Sequence, residues 1–214
     1  LLERVQPRLV VMTQNGLEKG LFAAASVAGI PVLETQHGLI GHGHPNYAYP
    51  SFIEPGSLPT LPTVFAAFSD YWIRSCHYPA LRCVALGNDT FYLPALPLTG
   101  PGEVMFVSAD IYHSVLAPRV RSLALKLPGR SIVYKLHPNQ FDHSAAIRNE
   151  FSDLPNVHVV GGEVSARQLL ATTSIVVVVQ STVAHEALQC GRRLCIVPEM
   201  NYLIHEDLIA LPGV

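Results

Sequence analysis

Residues 174–190 read SIVVVV, then QST, then VAHEALQC. Five consecutive β-branched residues with no polar alternation describe a strand buried on both faces, which is the condition of a strand inside a parallel sheet covered by helices on each side. Ser181 and Thr182 then supply hydroxyls that accept from unpaired N–H groups at a helix start. Residues 183–190 continue as a helix that Gly191 stops. A further strand follows at residues 194–197. A strand that runs through a short polar turn into a helix and back into a strand is the repeating unit of doubly wound α/β folds.

The same unit recurs outward from this stretch. Upstream, residues 103–108, 131–136 and 157–160 read as strands, and Val115, Leu116, Val120, Leu123, Ala124 and Leu127 form one apolar stripe close to a 3.6-residue period. Nearer the start, residues 9–13 (LVVMT) read as a strand, and residues 17–28 as an Ala-rich helix stopped by Gly29 and Pro31. Strands are expected at residues 32–35, 63–68 and 82–86, the last ending at Gly87 and Asn88, with a helix at 70–78 capped near Ser69. Residues 94–102 (PALPLTGPG) are almost entirely turn chemistry. The expectation is an α/β chain of two Rossmann-like parallel-sheet halves: residues 1–93, a linker at 94–102, and residues 103–214.

Composition narrows the function classes. Apolar residues make up 49% and charged residues 14% of 214, and 14 Lys and Arg stand against 16 Asp and Glu. That is a core-rich chain with no global field to recruit nucleic acid. Cys76, Cys83, Cys190 and Cys195 contain no CxxC pair and read as reduced thiols of a cytoplasmic protein. The apolar run at residues 20–33 is cut by Pro31 and is too short to span a bilayer. The charged opening LLERVQPR does not resemble a secretory signal, and without an initiator Met the numbering reads as starting inside a longer protein.

Ligands of such sheets bind beyond the carboxyl ends of the strands, so the residues just after each strand carry the functional weight. Four clusters sit there. Lys135 and His137 in KLHPN alternate along one strand and both donate well to phosphate oxygens, with Pro138 fixing the chain direction. A plain strand end with a capped structural His fits those positions equally. At Gln180, Ser181 and Thr182, the helix start that the hydroxyls cap is also an anion site, and Glu186, one turn in, can reach a ribose hydroxyl. Ordinary N-capping and a solvated carboxylate are the bland alternatives. In the third cluster, His37 follows a strand between Gln36 and Gly38, where an imidazole can act as base or hold a charged group and glycine allows close backbone approach. His42 and His44 follow, but no Cys or carboxylate completes a metal-ligand pattern, so no metal is expected. The fourth cluster, Gly87 to Asp89 (GND), is explained by turn formation alone, and Asn88 and Ser108 join Gln36 and Gly38 as cleft candidates. There is no GxxxxGK[ST] loop, no GxGxxG and no GxSxG.

Taken in order, QHG at 36–38, GN at 87–88, KLHP at 135–138 and QSTVAHEAL at 180–188 resemble GT-B transferases of bacterial surface polysaccharides. These are the capsule polysaccharide synthesis and export family, the CDP-glycerol glycerophosphotransferases and the bacterial sialyl- and polysialyltransferases. The resemblance covers roughly residues 32–198. It implies that His137 with Lys135, and Ser181 with Thr182, hold the phosphate and nucleotide of a cytidine-linked donor, and that His37 is catalytic or orients the substrate. The acidic D/E-D/E-G motif of many sialyltransferases has no counterpart here, and the first half is shorter than a complete acceptor domain, so it is expected to be truncated.

The resemblance implies transfer of a sugar or polyol phosphate from a CMP- or CDP-activated donor to a glycan or lipid-linked acceptor, without a cofactor or metal, at the cytoplasmic side of a membrane assembly. Two rivals stand beside it. A non-hydrolysing UDP-sugar 2-epimerase shares the fold and an HPN-like run such as His137 to Asn139, although its Ser-Gly-Gly run is replaced here by Gln180, Ser181 and Thr182. A degenerate GT-B module would bind a nucleotide or partner protein without turnover.

Overall fold

The structure, a computed structural model, describes every residue except 1, 14, 15, 17, 88–95, 200, 201, 212 and 213 and the side chains of 202 and 203. The chain divides into two compact units, residues 1–92 and 93–214. Each holds one fully parallel sheet.

In the first unit the short helix α1 (Leu2–Val5) precedes β1 (Val10–Thr13), α2 (Lys19–Val27), β2 (Val32–Thr35), β3 (Val64–Ala67), α3 (Asp70–Arg74) and β4 (Arg82–Ala85). The four strands lie in sequence order, β1-β2-β3-β4. Phe22 and Ala25 of α2 bury against Val32, so the Ala-rich composition of this helix serves packing: small side chains let it sit close to the sheet. Gly29, at φ +66°, ends it as expected. Helix α3 is shorter than its sequence suggests. Ser69 takes the extended N-cap position but makes no side-chain cap bond.

The second unit contains β5 (Glu103–Val107), α4 (His113–Lys126), β6 (Ile132–Lys135), α5 (Ser144–Glu150), β7 (Val157–Val160), α6 (Ala166–Leu169), β8 (Thr173–Val178), α7 (Val183–Gln189), β9 (Arg193–Ile196) and α8 (Glu206–Ile209). Short 3-10 turns at Asp110–Tyr112, Pro138–His143 and Tyr202–His205 lead into α4, α5 and α8. Strand order is β7-β6-β5-β8-β9.

The sequence alternation of this sheet sorts residues to two cores. Val104, Phe106, Ile132, Tyr134 and Val177 face Leu116, Val120 and Ala124 of α4 and Ile147 of α5. Met105, Val133, Val176 and Val178 face Val183, Ala184 and Ala187 of α7. The unbroken SIVVVV run is thus the signature of a strand covered on both sides. Each fully buried large aliphatic here contributes about 1.5–3 kcal/mol of transfer free energy.

Residues 96–102 belong to the second unit. Arg192 Nη2 donates to Leu96 O at 2.6 Å and Thr99 N to Ala171 O at 2.8 Å. Gly102, at φ +82° and with Ser174 Cβ 3.0 Å from where its own Cβ would stand, has to be glycine.

Candidate functional site

Chain connections give the two sheets different binding potential. From β5 the chain steps to β6 and β7 on one side, then crosses to β8 and β9 on the other, so strand order reverses between β5 and β8. At such a reversal the loops leaving the two strands diverge to opposite faces and leave a crevice at their carboxyl ends. The described strands of the first sheet run in order and contain no reversal.

Three segments, those that follow β5, β6 and β8, lie at the carboxyl edge of the second sheet. After β5 comes Ser108, buried, whose N–H bonds to Lys135 O at 2.9 Å. Tyr112, on the turn that follows, donates its phenolic hydrogen to Gln180 Oε1 at 3.0 Å. That bond ties the β5 and β8 loops across the reversal.

After β6, Lys135 is buried and its ammonium donates to Gly161 O beyond β7. Burial pulls its pKa below the ordinary lysine value, and Glu163 partly opposes this. His137 and Pro138 are exposed. His137 is the N-cap of the turn Pro138–His143: its Nδ1 lies 2.8 Å from Asn139 Oδ1 and 3.3 Å from Asn139 N, and Gln140 Oε1 accepts from His137 N at 3.0 Å. Gln140 was not expected to matter, yet it is wholly buried and pins the His137 backbone. Its Nε2 has no partner among the described residues.

After β8, Ser181 Oγ accepts from Val183 N at 3.2 Å, while Ser181 O and Thr182 O accept from Ala184 N and His185 N. Ser181 N–H points at His205 Nε2, 3.4 Å away. The N–H groups expected to face an anion are therefore largely satisfied inside the chain, and what the turn offers outward is the Thr182 end and two hydroxyls. Glu186 is buried rather than solvated, its carboxylate makes no hydrogen bond among the described residues, and its pKa is shifted upward by burial, with Arg167 opposing.

In the first unit, Gln36 is buried at the carboxyl end of β2. Its Nε2 donates to Gly38 O at 2.7 Å, and its Oε1 accepts from Phe68 N beyond β3 at 2.8 Å. His37, between these anchors, is exposed. Gly38 has no positive φ, and a Cβ there would meet nothing within 4 Å, so the fold itself does not demand glycine. Beneath the loop, Glu34 is fully buried between Tyr47 Oη at 2.5 Å and Tyr78 Oη at 2.7 Å. His44 turns inward: its Nδ1 accepts from Asn46 N at 3.2 Å, its ring meets Tyr47 edge-on, and burial lowers its pKa. No group of three or more metal-ligating side chains is assembled among the described residues. Asn88 lies outside the described residues.

Sequence reasoning passed over Tyr112, His113, Tyr134, Glu150, Gln140 and His205, all of which touch this edge or its supports. Only Gln140 carried a readable local sign, the residue three after a cap.

No protein-family model matches the chain. No curated protein matches its sequence either. Its structure is similar to that of the spinosyn rhamnosyltransferase SpnG complexed with thymidine diphosphate, at 14% identity and a TM-score of 0.57, over 98% of this chain and 59% of the other. It is similar to the UDP-GlcNAc 2-epimerase of Methanocaldococcus jannaschii in complex with UDP-GlcNAc and UDP, at 12% identity and 0.56, over 99% and 65%. The pneumococcal O-GlcNAc transferase GtfA in complex with UDP and GlcNAc gives 11% and 0.51, over 97% and 49%. The chain spans between about half and two-thirds of the length of these structures. At such identities it is the architecture that is shared: this chain has the two Rossmann-like, parallel-sheet α/β halves of the GT-B fold.

Proposed function

We propose that the chain binds a nucleotide-activated sugar at the carboxyl edge of its second sheet and serves glycosyl transfer. In its specific form, a sugar or polyol phosphate passes from a CMP- or CDP-linked donor to a surface polysaccharide or lipid-linked acceptor of a bacterium, on the cytoplasmic side and in peripheral contact with a membrane assembly. The observation that carries the reading is the strand-order reversal between β5 and β8, with Ser108, His137 and Gln180 to Thr182 at its edge. The cytidine preference rests on the KLHP and QSTVAHEAL resemblance. The similar solved structures hold UDP or thymidine diphosphate.

As the donor bond breaks, negative charge grows on the leaving phosphate. Lys135, His137, Ser181 and Thr182 stabilise it without a metal, and Pro138 holds the turn in place. Lys135 has to exchange the Gly161 carbonyl for a phosphate oxygen, and an ammonium bonds more strongly to an ionised acceptor than to a neutral carbonyl. Glu186 takes a ribose hydroxyl, which would give its buried, unbonded carboxylate a partner. His37 orients or deprotonates the acceptor, on a loop shaped by Gln36 and Gly38.

Calorimetry with CMP tests this directly. His137→Ala is expected to abolish binding, and wild-type affinity in that variant refutes the assignment. A second reading, 2-epimerisation of a UDP-sugar, is favoured by the His137 to Asn139 run, whose side chains meet at 2.8 Å, and by the likeness to the M. jannaschii enzyme. Incubation with UDP-GlcNAc alone separates the two, since a transferase forms no epimer.

A further inference from the structure

Ser108 is one end of a hydrogen-bonded chain that leaves the carboxyl edge and reaches the surface. Ser108 Oγ lies 2.8 Å from Tyr134 Oη, Tyr134 Oη lies 2.8 Å from His113 Nδ1, and His113 Nε2 lies 2.9 Å from Glu150 Oε2. Ser108 and Tyr134 are buried, and the His113 and Glu150 side chains are 24% and 44% exposed. One strand end, two helices and the neighbouring strand are needed to assemble these four groups.

The direction of every bond follows from the last one. An ionised carboxylate only accepts, so His113 Nε2 carries the hydrogen. In a neutral ring Nδ1 then accepts, so Tyr134 donates to it. Tyr134 has a single hydrogen, so Ser108 donates to Tyr134. In this state the Ser108 hydroxyl has no hydrogen left for an anion, and presents only lone pairs to the edge where the proposed function places a phosphate.

Adding one proton at His113 Nδ1 reverses the chain. Nδ1–H then donates to Tyr134 Oη, Tyr134 rotates its hydrogen to Ser108 Oγ, and Ser108 turns its own hydrogen outward. Both hydroxyls keep their hydrogens, and the only net change is a proton taken from the solvent. The Glu150 carboxylate, 2.9 Å from Nε2, compensates the new imidazolium. We propose that Ser108, Tyr134, His113 and Glu150 couple anion binding at the carboxyl edge of the second sheet to proton uptake at His113. The ligand class is a phosphate-bearing nucleotide, and the inference rests on the function proposed above.

The charged surroundings of His113 fit this assignment. Tyr134 faces it from β6 and Glu150 from α5. On α4, Arg121 donates to the Glu150 carbonyl and pairs with Asp153, so its charge is spent beside Glu150 without displacing His113 from it. Tyr134 itself stays protonated throughout, its pKa pushed up to about 12 mainly by burial.

The test is calorimetry of CDP binding near pH 7 in two buffers of different ionisation enthalpy, which yields protons taken up per nucleotide bound. Tyr134→Phe keeps the ring against Phe151 and cuts the chain. His113→Gln removes the imidazole at a partly exposed position. Comparison with the wild type cancels the protons that CDP itself exchanges. Wild type is expected to take up more protons than either variant, by up to about one per nucleotide, and its affinity relative to theirs to rise as pH falls, by at most about tenfold per pH unit. Binding by all three proteins with equal uptake overturns the inference and leaves the proposed function standing. A wild type that binds none of CMP, CDP, UDP and GDP overturns both.

Discussion

Gln36 holds Gly38 by a 2.7 Å bond from its Nε2 to the Gly38 carbonyl, and holds Phe68 N by its Oε1 at 2.8 Å. One buried amide thus fastens the His37 loop to the end of the next strand. Gln36→Ala leaves both backbone groups without that partner, at a cost of about 1–3 kcal/mol for each one kept from water. Gln36→Glu retains an acceptor for Phe68 N but sets a second acceptor against the Gly38 carbonyl in a buried place, so it is expected to destabilise as well. Urea unfolding ranks the three proteins. Hydrogen exchange at residues 37–40 should accelerate in both variants, and unchanged exchange there refutes the tether.

Gly38 and Gly102 should respond oppositely to alanine. At Gly38 the added methyl meets nothing within 4 Å and φ is not positive, so stability is expected to stay within about 0.5 kcal/mol of wild type. At Gly102 it meets Ser174 Cβ at 3.0 Å from a backbone at φ +82°, and a loss of about 1 kcal/mol or more is expected. Thermal melting of both variants decides it, and a Gly38→Ala protein as unstable as Gly102→Ala contradicts the geometry.

Glu34 accepts from Tyr47 and Tyr78 with no solvent exposure. Glu34→Ala removes the acceptor that two buried hydroxyls share and opens a void, a loss on the order of 3–5 kcal/mol, with Glu34→Gln milder. Burial first, then the Glu34 charge, raises the Tyr78 pKa well above its ordinary 10.0. A pKa raised on folding gives stability that is complete below the unfolded value and lost as pH rises beyond it. The first unit should therefore weaken above about pH 10, visible as a falling urea midpoint; a midpoint level across that range would count against the buried triad.

Much of the frame was legible because its signals are dense. β2 and β7 fall on the residues that periodicity assigns, and SIVVVV misses β8 by one position at each end. What was missed is short or non-local. Helix α6 has four residues and announced itself only through a capping box, Ser165 with Gln168. Helix α5 has seven residues and sits behind a His-capped turn that no N-cap preference suggests. At the site, His37, His137 and Ser181 could be named from strand ends alone. Their supports could not, because Tyr134 reads as one more buried strand residue until His113, 21 positions away, is brought against it and Glu150, 37 positions from His113, is brought against that ring.

His205 shows the same limit and carries the last prediction. Its Nε2 accepts from Ser181 N at 3.4 Å and its ring lies 6.3 Å from that of His185, so two imidazoles back the turn that caps α7. Accepting at Nε2 places the hydrogen on Nδ1, which is buried without a partner among the described residues. Burial lowers the pKa of His205 from 6.5 to about 4. Burial, and then the His205 charge, bring His185 to about 4 as well, with Asp207 opposing. A pKa lowered on folding gives stability that is full above the unfolded value and lost as pH falls through the folded one. The second unit should accordingly lose stability between about pH 6.5 and 4, by at most on the order of 3 kcal/mol per ring and less for the coupled pair. His205→Asn keeps an acceptor within the turn and removes one titrating ring. Its urea midpoint should fall less steeply over that interval than the wild type's, while parallel slopes would mean that His205 is already charged in the folded protein and that Ser181 N–H is not its donor.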